Sequence, residues 1–428
     1  MPGCVTDLTC ITCGSTFPGI NLATAEATWM ICPHCGPFNG ILDIGYDLDR
    51  VRAAWQENPL NDRPRTQWRY AELLPLEPSA VRREWPVGFT PVMDSPRLAS
   101  HLGLQQILLK DEGRNPTGSF KDRSSATGVS HALQVGAKSI ACASTGNAAS
   151  SLAGHAALAG LPAFIFVPKT APEPKIAQLQ VFGATVFAVN SSYDQAYDLC
   201  TKACREFGWY NRNCAINPVL VEGKKTAGLE IAEQSAHFGG MPDWVAVSVG
   251  DGCTIAAIWK GIVTMHELGL IDRLPRLLGV QAAEVNPLQY ALEHDELPKP
   301  SAGTTIADSI DVHVPRNWHK AINAVRESDG VIVTAGDEAI LDAMRLAGRY
   351  GMFAEPAASA ALAGVVAAIA SDIIVPQDRV LTMITGSGLK DTRSAIRAVG
   401  RPIPIEPDVS AVERALENSR KGAKAQSA

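Results

Sequence analysis

Asn115-Pro-Thr-Gly-Ser-Phe-Lys121-Asp-Arg123 is the stretch whose reading decides the fold. An apolar run, Ile107-Leu-Leu109, precedes it and reads as a buried strand. Ser124 to Leu133 follows it and reads as a helix. Asn115-Pro116 and Thr117-Gly118 are turn chemistry. Ser119 with Asp122 three residues on has the form of a capping box, which starts the helix at that point. Lys121 then falls in the first helical turn, where the helix dipole disfavours a further cation and eases loss of the ammonium proton. A lysine that can be neutral is what imine formation with an aldehyde requires. Taken alone, such a lysine is more often a solvated residue on a helix end, so its neighbours in the chain must decide.

Working outward, short apolar runs alternate with helical patterns from Leu104 onward. Ser139–Cys142, Ala163–Val167, Thr185–Val189 and Trp244–Val249 read as buried parallel strands. Asn147–Ala159 and Lys175–Val181 read as helices, each followed by a glycine suited to a helix end, Gly160 and Gly183. Ser192 can cap a further helix, Tyr193–Phe207. Strand–helix alternation with short connections means an open α/β sheet, with ligands at the carboxyl ends of the strands.

Composition sets the bounds. The chain has 428 residues, enough for two or three folding units. Apolar residues are 46% and charged residues 19%, a soluble globular balance. A net charge of −6 and a pI near 5.9 argue against nucleic acid or an anionic membrane as the main partner. The first residues carry no basic and apolar signal segment. Ala357–Ala370, the longest small-apolar run, is too short to span a bilayer and reads as a buried helix. Four of the ten cysteines form two Cys-x-x-Cys pairs, and the other six are scattered. Reduced thiols and a cytoplasmic setting are expected.

Cys10-Ile-Thr-Cys13 and Cys32-Pro-His-Cys35 are separated by 18 residues, the spacing of a Cys4 zinc ribbon. Gly14 and Gly36 follow the two pairs, as such turns require. Four thiolates leave a zinc ion no open position, so the metal is expected to be structural. Residues 1–45 contain no Lys or Arg, which disfavours a nucleic-acid role for the ribbon. His34, between two candidate ligands, is expected to face solvent. The ribbon is expected over 1–46 as an extension or a lid, separate enough for cofactor binding to survive its loss. A connecting arm follows over 47–87, then a catalytic body over 88–410 with a smaller subdomain at about 125–218. A C-terminal helix with a tail, disordered from Ser419, is expected over 411–428.

Two loops in the body have the form of anion cradles. Ser144-Thr-Gly-Asn147 follows a strand and opens a helix, so it offers backbone N–H groups and hydroxyls. Val249-Gly-Asp-Gly-Cys-Thr254 does the same after the strand at Trp244. Alone, its Gly-x-Gly could signal a dinucleotide, but the nearest acidic residue at the right remove, Glu267, sits in the following helix. Thr385 ends a further apolar run, Val380–Ile384.

Pro116 to Arg123 resembles the pyridoxal-phosphate (PLP) lysine segment of threonine synthases, within the tryptophan-synthase-β-like group. Ala143–Asn147, the glycine loop at Gly250, and Thr385-Gly-Ser-Gly-Leu-Lys-Asp391 match in order, and the resemblance covers roughly Leu74 to Ala398. It implies two open twisted-sheet α/β subdomains of PLP fold type II, beside the ribbon. It implies that Lys121 forms the Schiff base and then takes the α-proton. Ser144, Thr145, Gly146 and Asn147 would hold the substrate carboxylate, with Asn147 also bonding the cofactor's 3′-oxygen. Gly250, Asp251, Gly252, Cys253 and Thr254 would cradle the cofactor phosphate. Thr385 would bond the pyridine nitrogen, a neutral partner that suits elimination and replacement. The expected protein is a homodimeric lyase acting on a small amino acid, nominally converting O-phosphohomoserine and water to threonine and phosphate.

Some positions depart from that family pattern. Cys214, Ala215 and Leu220 replace Asn, Ser and a phosphate-gripping Arg, and Ala148 replaces Thr. Asp251 and Thr254 replace Asn residues, while Lys224 replaces Gln beyond the pocket run. These changes weaken a dianion pocket. Thr305-Ile-Ala-Asp308 resembles a segment of threonine and serine dehydratases. A poor response to phosphohomoserine is therefore expected. The alternatives are a β-eliminating ammonia-lyase or a β-replacement enzyme on a serine-, threonine-, aspartate- or phosphoserine-like substrate. A non-catalytic zinc protein that keeps the fold is a third reading, opposed by Lys121 and Asn147.

Overall fold

The computed structural model describes residues 3–23, 31–169, 171, 173–191 and 193–425. Three sheets organise them. In the first, β1 (Val5–Cys10) lies between β2 (Thr16–Pro18) and β3 (Leu42–Tyr46), all antiparallel. Gly14 and Gly36 both take positive φ, 70° and 72°, so each Cys-x-x-Cys turn does close on its glycine.

The second sheet uses β4 (Val92–Asp94), β5 (Gln106–Asp111), β10 (Trp244–Ser248), β11 (Arg276–Ala282), β12 (Val331–Ala335) and β13 (Arg379–Ile384). Its order is β12-β11-β10-β13-β5-β4, parallel except for β4 against β5. The third, order β8-β7-β6-β9, is parallel and contains β6 (Ile140–Ala143), β7 (Ala163–Pro168), β8 (Thr185–Val189) and β9 (Tyr210–Asn211). Central strands such as Trp244–Ser248 are buried along their whole length, as strands covered by helices on both faces must be. Thr185–Val189 is mostly exposed instead, because it is the edge of its sheet.

The helices fall where the periodicity places them: Lys121–Gln134, Asn147–Ala159, Glu173–Val181, Tyr193–Phe207 and Pro356–Ala370. Gly160 ends the second in a left-handed turn. Ser192, the expected cap of Tyr193–Phe207, lies outside the described residues. The C-terminal helix runs Val409–Ala425 and so takes in positions where a disordered tail was expected. None of the described helices is long and apolar enough to cross a membrane.

Helices Val219–Ser235 and Cys253–Glu267 pack backbone to backbone at Gly228 and Gly261. A Cβ on Gly228 would lie 2.1 Å from the Ile258 carbonyl oxygen. Only glycine permits that approach. It sets the second helix, which opens directly from the loop at Gly250, against the first.

Candidate active site

The carboxyl ends of five parallel strands deliver the expected residues to one place. The loop after β5 leads to Lys121, the loop after β6 to Asn147, and the loop after β9 to Cys214. The loop after β10 is Gly250–Gly252, and Thr385 follows β13. The Phe120 N–H donates to the Thr385 carbonyl at 2.8 Å, and Ser119 bridges to Gly386. That pairing sets Lys121 beside Thr385. A cavity of about 640 Å³ opens there, lined by Lys121, Ser144, Asn147, all of Gly250 to Thr254, and Thr385. Its size suits a cofactor with a small substrate. Thr145 and Gly146 face a second cavity of about 580 Å³, which shares Asn147 with the first.

Lys121 does open its helix, but no capping box starts it. The Ser119 hydroxyl has no partner among the described residues, and the helix has no side-chain cap. Asp122 turns the other way: its carboxylate accepts from the Thr117 N–H and hydroxyl, both at 2.7 Å, and lies 3.1 Å from His155. The aspartate therefore pins the Pro116–Gly118 turn and leaves the helix end free. The Lys121 amine is depressed to about 8. Burial is the leading cause, with the Lys224 charge second, so enclosure does what the helix dipole was expected to do.

Arg123, two residues on, is fully buried and joins three elements. It donates to Glu112 at 2.7 Å and to Glu230 at 2.6 Å, while Lys110 donates to Glu230 at 2.9 Å.

The loop after β10 is built for glycine. A Cβ on Gly250 would lie 3.0 Å from the Ile310 Cα and 3.1 Å from the Ser309 carbonyl oxygen. Gly252 has φ +90°, and a Cβ there would meet the Asn317 oxygen at 2.8 Å. Behind it stands the 15-residue helix Cys253–Glu267, whose free N–H groups favour an anion. Asp251 lines the cavity, but its carboxylate is engaged: it accepts from the Arg316 N–H at 2.7 Å and from Asn317 Nδ2 at 3.2 Å. It holds the 316–317 loop. These features fit PLP: an enclosed lysine that can be neutral, a glycine cradle at a helix start, and hydroxyl and amide groups at the remaining edges.

The wall facing this cradle places the departures from the family pattern. Cys214 and Ala215 line the cavity, whereas Leu220 does not. Leu220 is fully buried, with its Cδ2 2.3 Å from where a Cβ on Gly128 would stand. An arginine at 220 would have to bury its guanidinium there, so Leu220 is no measure of anion affinity. Lys224, one helical turn on, does line the cavity and is only 2% exposed. So do Arg212 and Arg316. Burial would depress the Lys224 ammonium, but the Cys214 and Cys253 sulfurs beside it raise it above its ordinary value. Arg212 donates to the Ser124 and Ser125 hydroxyls at 2.9 and 3.0 Å. Neither Lys224 nor Arg212 has a carboxylate in ion-pair contact among the described residues. Arg316 stacks on Tyr197, 4.2 Å from the ring centroid, across the cavity mouth. Arg114, another cation near the lysine segment, points to solvent and pairs with Asp111.

Glu355 was not anticipated. It lies on the cavity wall and is buried. Asn147 Nδ2 donates to its Oε1 at 2.7 Å. The residue follows no strand or glycine motif, so only the tertiary fold reveals it.

The four N-terminal cysteines also converge. Their sulfurs lie within 4.8 Å of one another, with Cys13 and Cys32 3.7 Å apart. Four thiolates about 2.3 Å from one zinc ion would be separated by about 3.8 Å, so the set fits a closed tetrahedral site. His34 is exposed, as expected. No described residue of the N-terminal cysteine segment lines the 640 Å³ cavity.

Residues 85–386 match the family model described as pyridoxal-phosphate dependent enzyme. The chain belongs to that PLP-dependent family. Threonine synthase from Methanocaldococcus jannaschii is 36% identical over 413 residues, covering 95% of this chain and 98% of that protein. Threonine synthase from Mycobacterium tuberculosis is 38% identical over 333 residues, covering 76% and 89%. Among solved structures, threonine deaminase isoform 2 from Solanum lycopersicum superposes with a TM-score of 0.63 at 20% identity, covering 72% of this chain and 87% of that one. Diaminopropionate ammonia lyase from Escherichia coli gives 0.63 at 19%, covering 73% and 87%. These structural likenesses establish the PLP fold type II architecture. The sequence relatives make this a threonine-synthase-like PLP enzyme, of the kind that acts on a small amino acid by elimination and addition.

Proposed function

We propose that this PLP enzyme converts O-phosphohomoserine and water to threonine and phosphate, which makes it a carbon–oxygen lyase. The observation that carries the reading is the pair of buried cations, Lys224 and Arg212, on the cavity wall without a carboxylate partner among the described residues. The Cys214 sulfur beside both answers part of that charge, and a bound anion would answer more of it. A substrate with a distal phosphate supplies that anion.

The residues divide the work by position. Lys121 would hold PLP through its side-chain amine and would be released when the substrate amine takes its place. The freed amine, depressed to about 8, then takes the Cα proton as general base. PLP, when bound, supplies the electron sink for the charge this leaves. Ser144, Thr145 and Gly146 present N–H and hydroxyl groups to the substrate carboxylate, and Asn147 addresses the cofactor's 3′-oxygen. The backbone of Gly250 to Thr254 receives the cofactor phosphate at its helix start. Thr385 faces the ring nitrogen with a neutral hydroxyl. Lys224 and Arg212 would hold the substrate's phosphate. A Cβ proton would leave as well as the Cα proton, phosphate would depart from Cγ, Cγ would take a proton to become the methyl group, and water would add at Cβ. Apart from this chemistry, Cys10, Cys13, Cys32 and Cys35 hold one structural zinc ion.

Steady-state kinetics test the reading. The unaltered protein should release phosphate and threonine in equal amounts from phosphohomoserine. Lys224→Gln should raise KM for it roughly ten- to a hundredfold, the worth of one charge-assisted contact. Ammonia and keto acid from serine or threonine, with no phosphate release from phosphohomoserine, would overturn it.

A further inference from the structure

Glu355 stands between the two cavities, not at the end of either. It lines both the 640 Å³ cavity and the adjoining 580 Å³ one, as Asn147 also does. The hydrogen bond from Asn147 Nδ2 to Glu355 Oε1, 2.7 Å long, lies where the two cavities adjoin. The two side chains come from different subdomains. Asn147 opens a helix packed on the smaller sheet, and Glu355 precedes the Pro356–Ala370 helix on the larger.

The carboxylate is itself fixed by backbone. The Glu355 N–H donates to the Gly386 carbonyl at 3.2 Å, next to Thr385. A Cβ on Gly386 would lie 2.3 Å from Glu355 Oε1, so only glycine at 386 leaves the carboxyl group room. An amide side chain can turn about its terminal torsion at little cost unless a partner holds it. Here one N–H is committed to Glu355, which leaves the second N–H and the carbonyl oxygen for whatever lies in the cofactor cavity.

We propose that Glu355 is a positioning residue: it orients the Asn147 amide toward the cofactor and makes that contact depend on both subdomains being in place. Glu355 does not touch the reacting atoms and acts through Asn147. The groups facing it are Asp308, Lys390 and Lys121, besides Asn147. Burial, with Asp308 second, raises its carboxyl to about 7. A neutral carboxyl still offers Oε1 as an acceptor, so the orienting bond survives protonation, and a glutamine at this position should preserve it.

This rests on reading Asn147 as a contact to PLP, and the test separates the two ideas. PLP dissociation constants and the visible band of the lysine-bound cofactor would be measured for Asn147→Ala, Glu355→Ala, Glu355→Gln and the Asn147→Ala/Glu355→Ala double variant. Each alanine variant should weaken PLP about tenfold, the scale of one lost hydrogen bond. Each should also shift the band. The double variant should be no worse than Asn147→Ala alone, because Glu355 works through that residue. Glu355→Gln should restore both the constant and the band. If Glu355→Ala does not fold, Glu355→Asp, which withdraws the acceptor by one methylene, should show the same loss. A silent Asn147→Ala would refute the cofactor contact and the positioning role with it. An impaired Asn147→Ala beside a silent Glu355→Ala, additive losses, or failure of Glu355→Gln to rescue would overturn the positioning role alone.

Discussion

Lys121 shows how much one residue's chemistry depends on what surrounds it. The turn residues and the strand–helix switch made its place at a helix start legible from sequence. Its depressed basicity was anticipated too, but for a reason that burial supersedes. Enclosure cannot be read from local sequence, because the groups that enclose Lys121 come from distant loops. The same limit hid Glu355, and it hid the helix Val219–Ser235 that turns Leu220 away from the cavity. Since only the neutral amine attacks an aldehyde, a lysine near 8 fixes a pH dependence. The rate of PLP loading onto stripped enzyme should rise about tenfold per unit below pH 8 and level off above it. Stopped-flow absorbance would follow it, and a rate independent of pH between 6 and 8 would count against Lys121. Lys121→Ala should fold, lack the visible band and lack turnover.

At the scale of elements, the helix carrying Lys121 is held by a buried ionic cluster. Arg123 sits in the stretch that decided the fold, yet nothing in its sequence context assigned it a role. Its guanidinium ties the Lys121–Gln134 helix to Glu112 at the end of β5 and to Glu230 on the Val219–Ser235 helix. All three side chains are fully buried. Removing Arg123 leaves Glu112 buried and charged without its ion-pair partner, and Glu230 with Lys110 alone, which costs about 3–5 kcal/mol. Arg123→Met should lower stability by that amount in denaturant titration, and adding Glu112→Gln should recover part of it, because it removes the carboxylate left without an ion-pair partner. The Glu230 carboxyl is held down to about 2, burial opposing and Arg123 then Lys110 prevailing. With the folded value below the unfolded one, its contribution is present above about pH 4.5 and is lost as the pH falls toward 2. Unaltered protein should therefore lose stability across that window more steeply than the double variant. Equal acid sensitivity would argue against the cluster as the anchor. The strand before Glu112 and the helix after Lys121 were legible from their apolar patterns, whereas the Val219–Ser235 helix was not read, and a charge cluster joining residues more than a hundred positions apart leaves no periodic signal.

At the scale of the molecule, the ribbon's cysteine spacing was plain in sequence, but its attachment was not. It was expected to be a separate unit, and the contacts oppose that. Asp43 on β3 accepts from Lys260 at 2.9 Å and from Lys320 at 2.6 Å. Lys260 also donates to the Ile44 carbonyl and to Glu222, both at 2.7 Å. Lys260 belongs to the Cys253–Glu267 helix, whose first residues follow the glycine cradle. Val219 packs into the ribbon's apolar cluster, and Lys225 lies 3.7 Å from the Tyr46 ring centroid. The cysteine-bearing segment therefore grips the middle of the helix whose first residues are assigned to the cofactor phosphate. Zinc content should be about one ion per chain, as a closed Cys4 site binds, and Cys10→Ser/Cys13→Ser should abolish it. Losing the metal should loosen β3 through the shared sheet and free Lys260 and Lys320 from Asp43. PLP should still bind the zinc-free variant, but roughly fivefold more weakly, a coupling at the low end of those seen between sites. Asp43→Asn in zinc-loaded protein should reproduce most of that loss, since it cuts the clamp and leaves the metal in place. Titration of PLP by absorbance decides it: a zinc-free variant that binds PLP as tightly as the unaltered chain means the clamp carries no coupling. Protein purified under reducing conditions, without chelator, and found free of zinc would remove the metal from the argument and leave the Asp43 variant as its test.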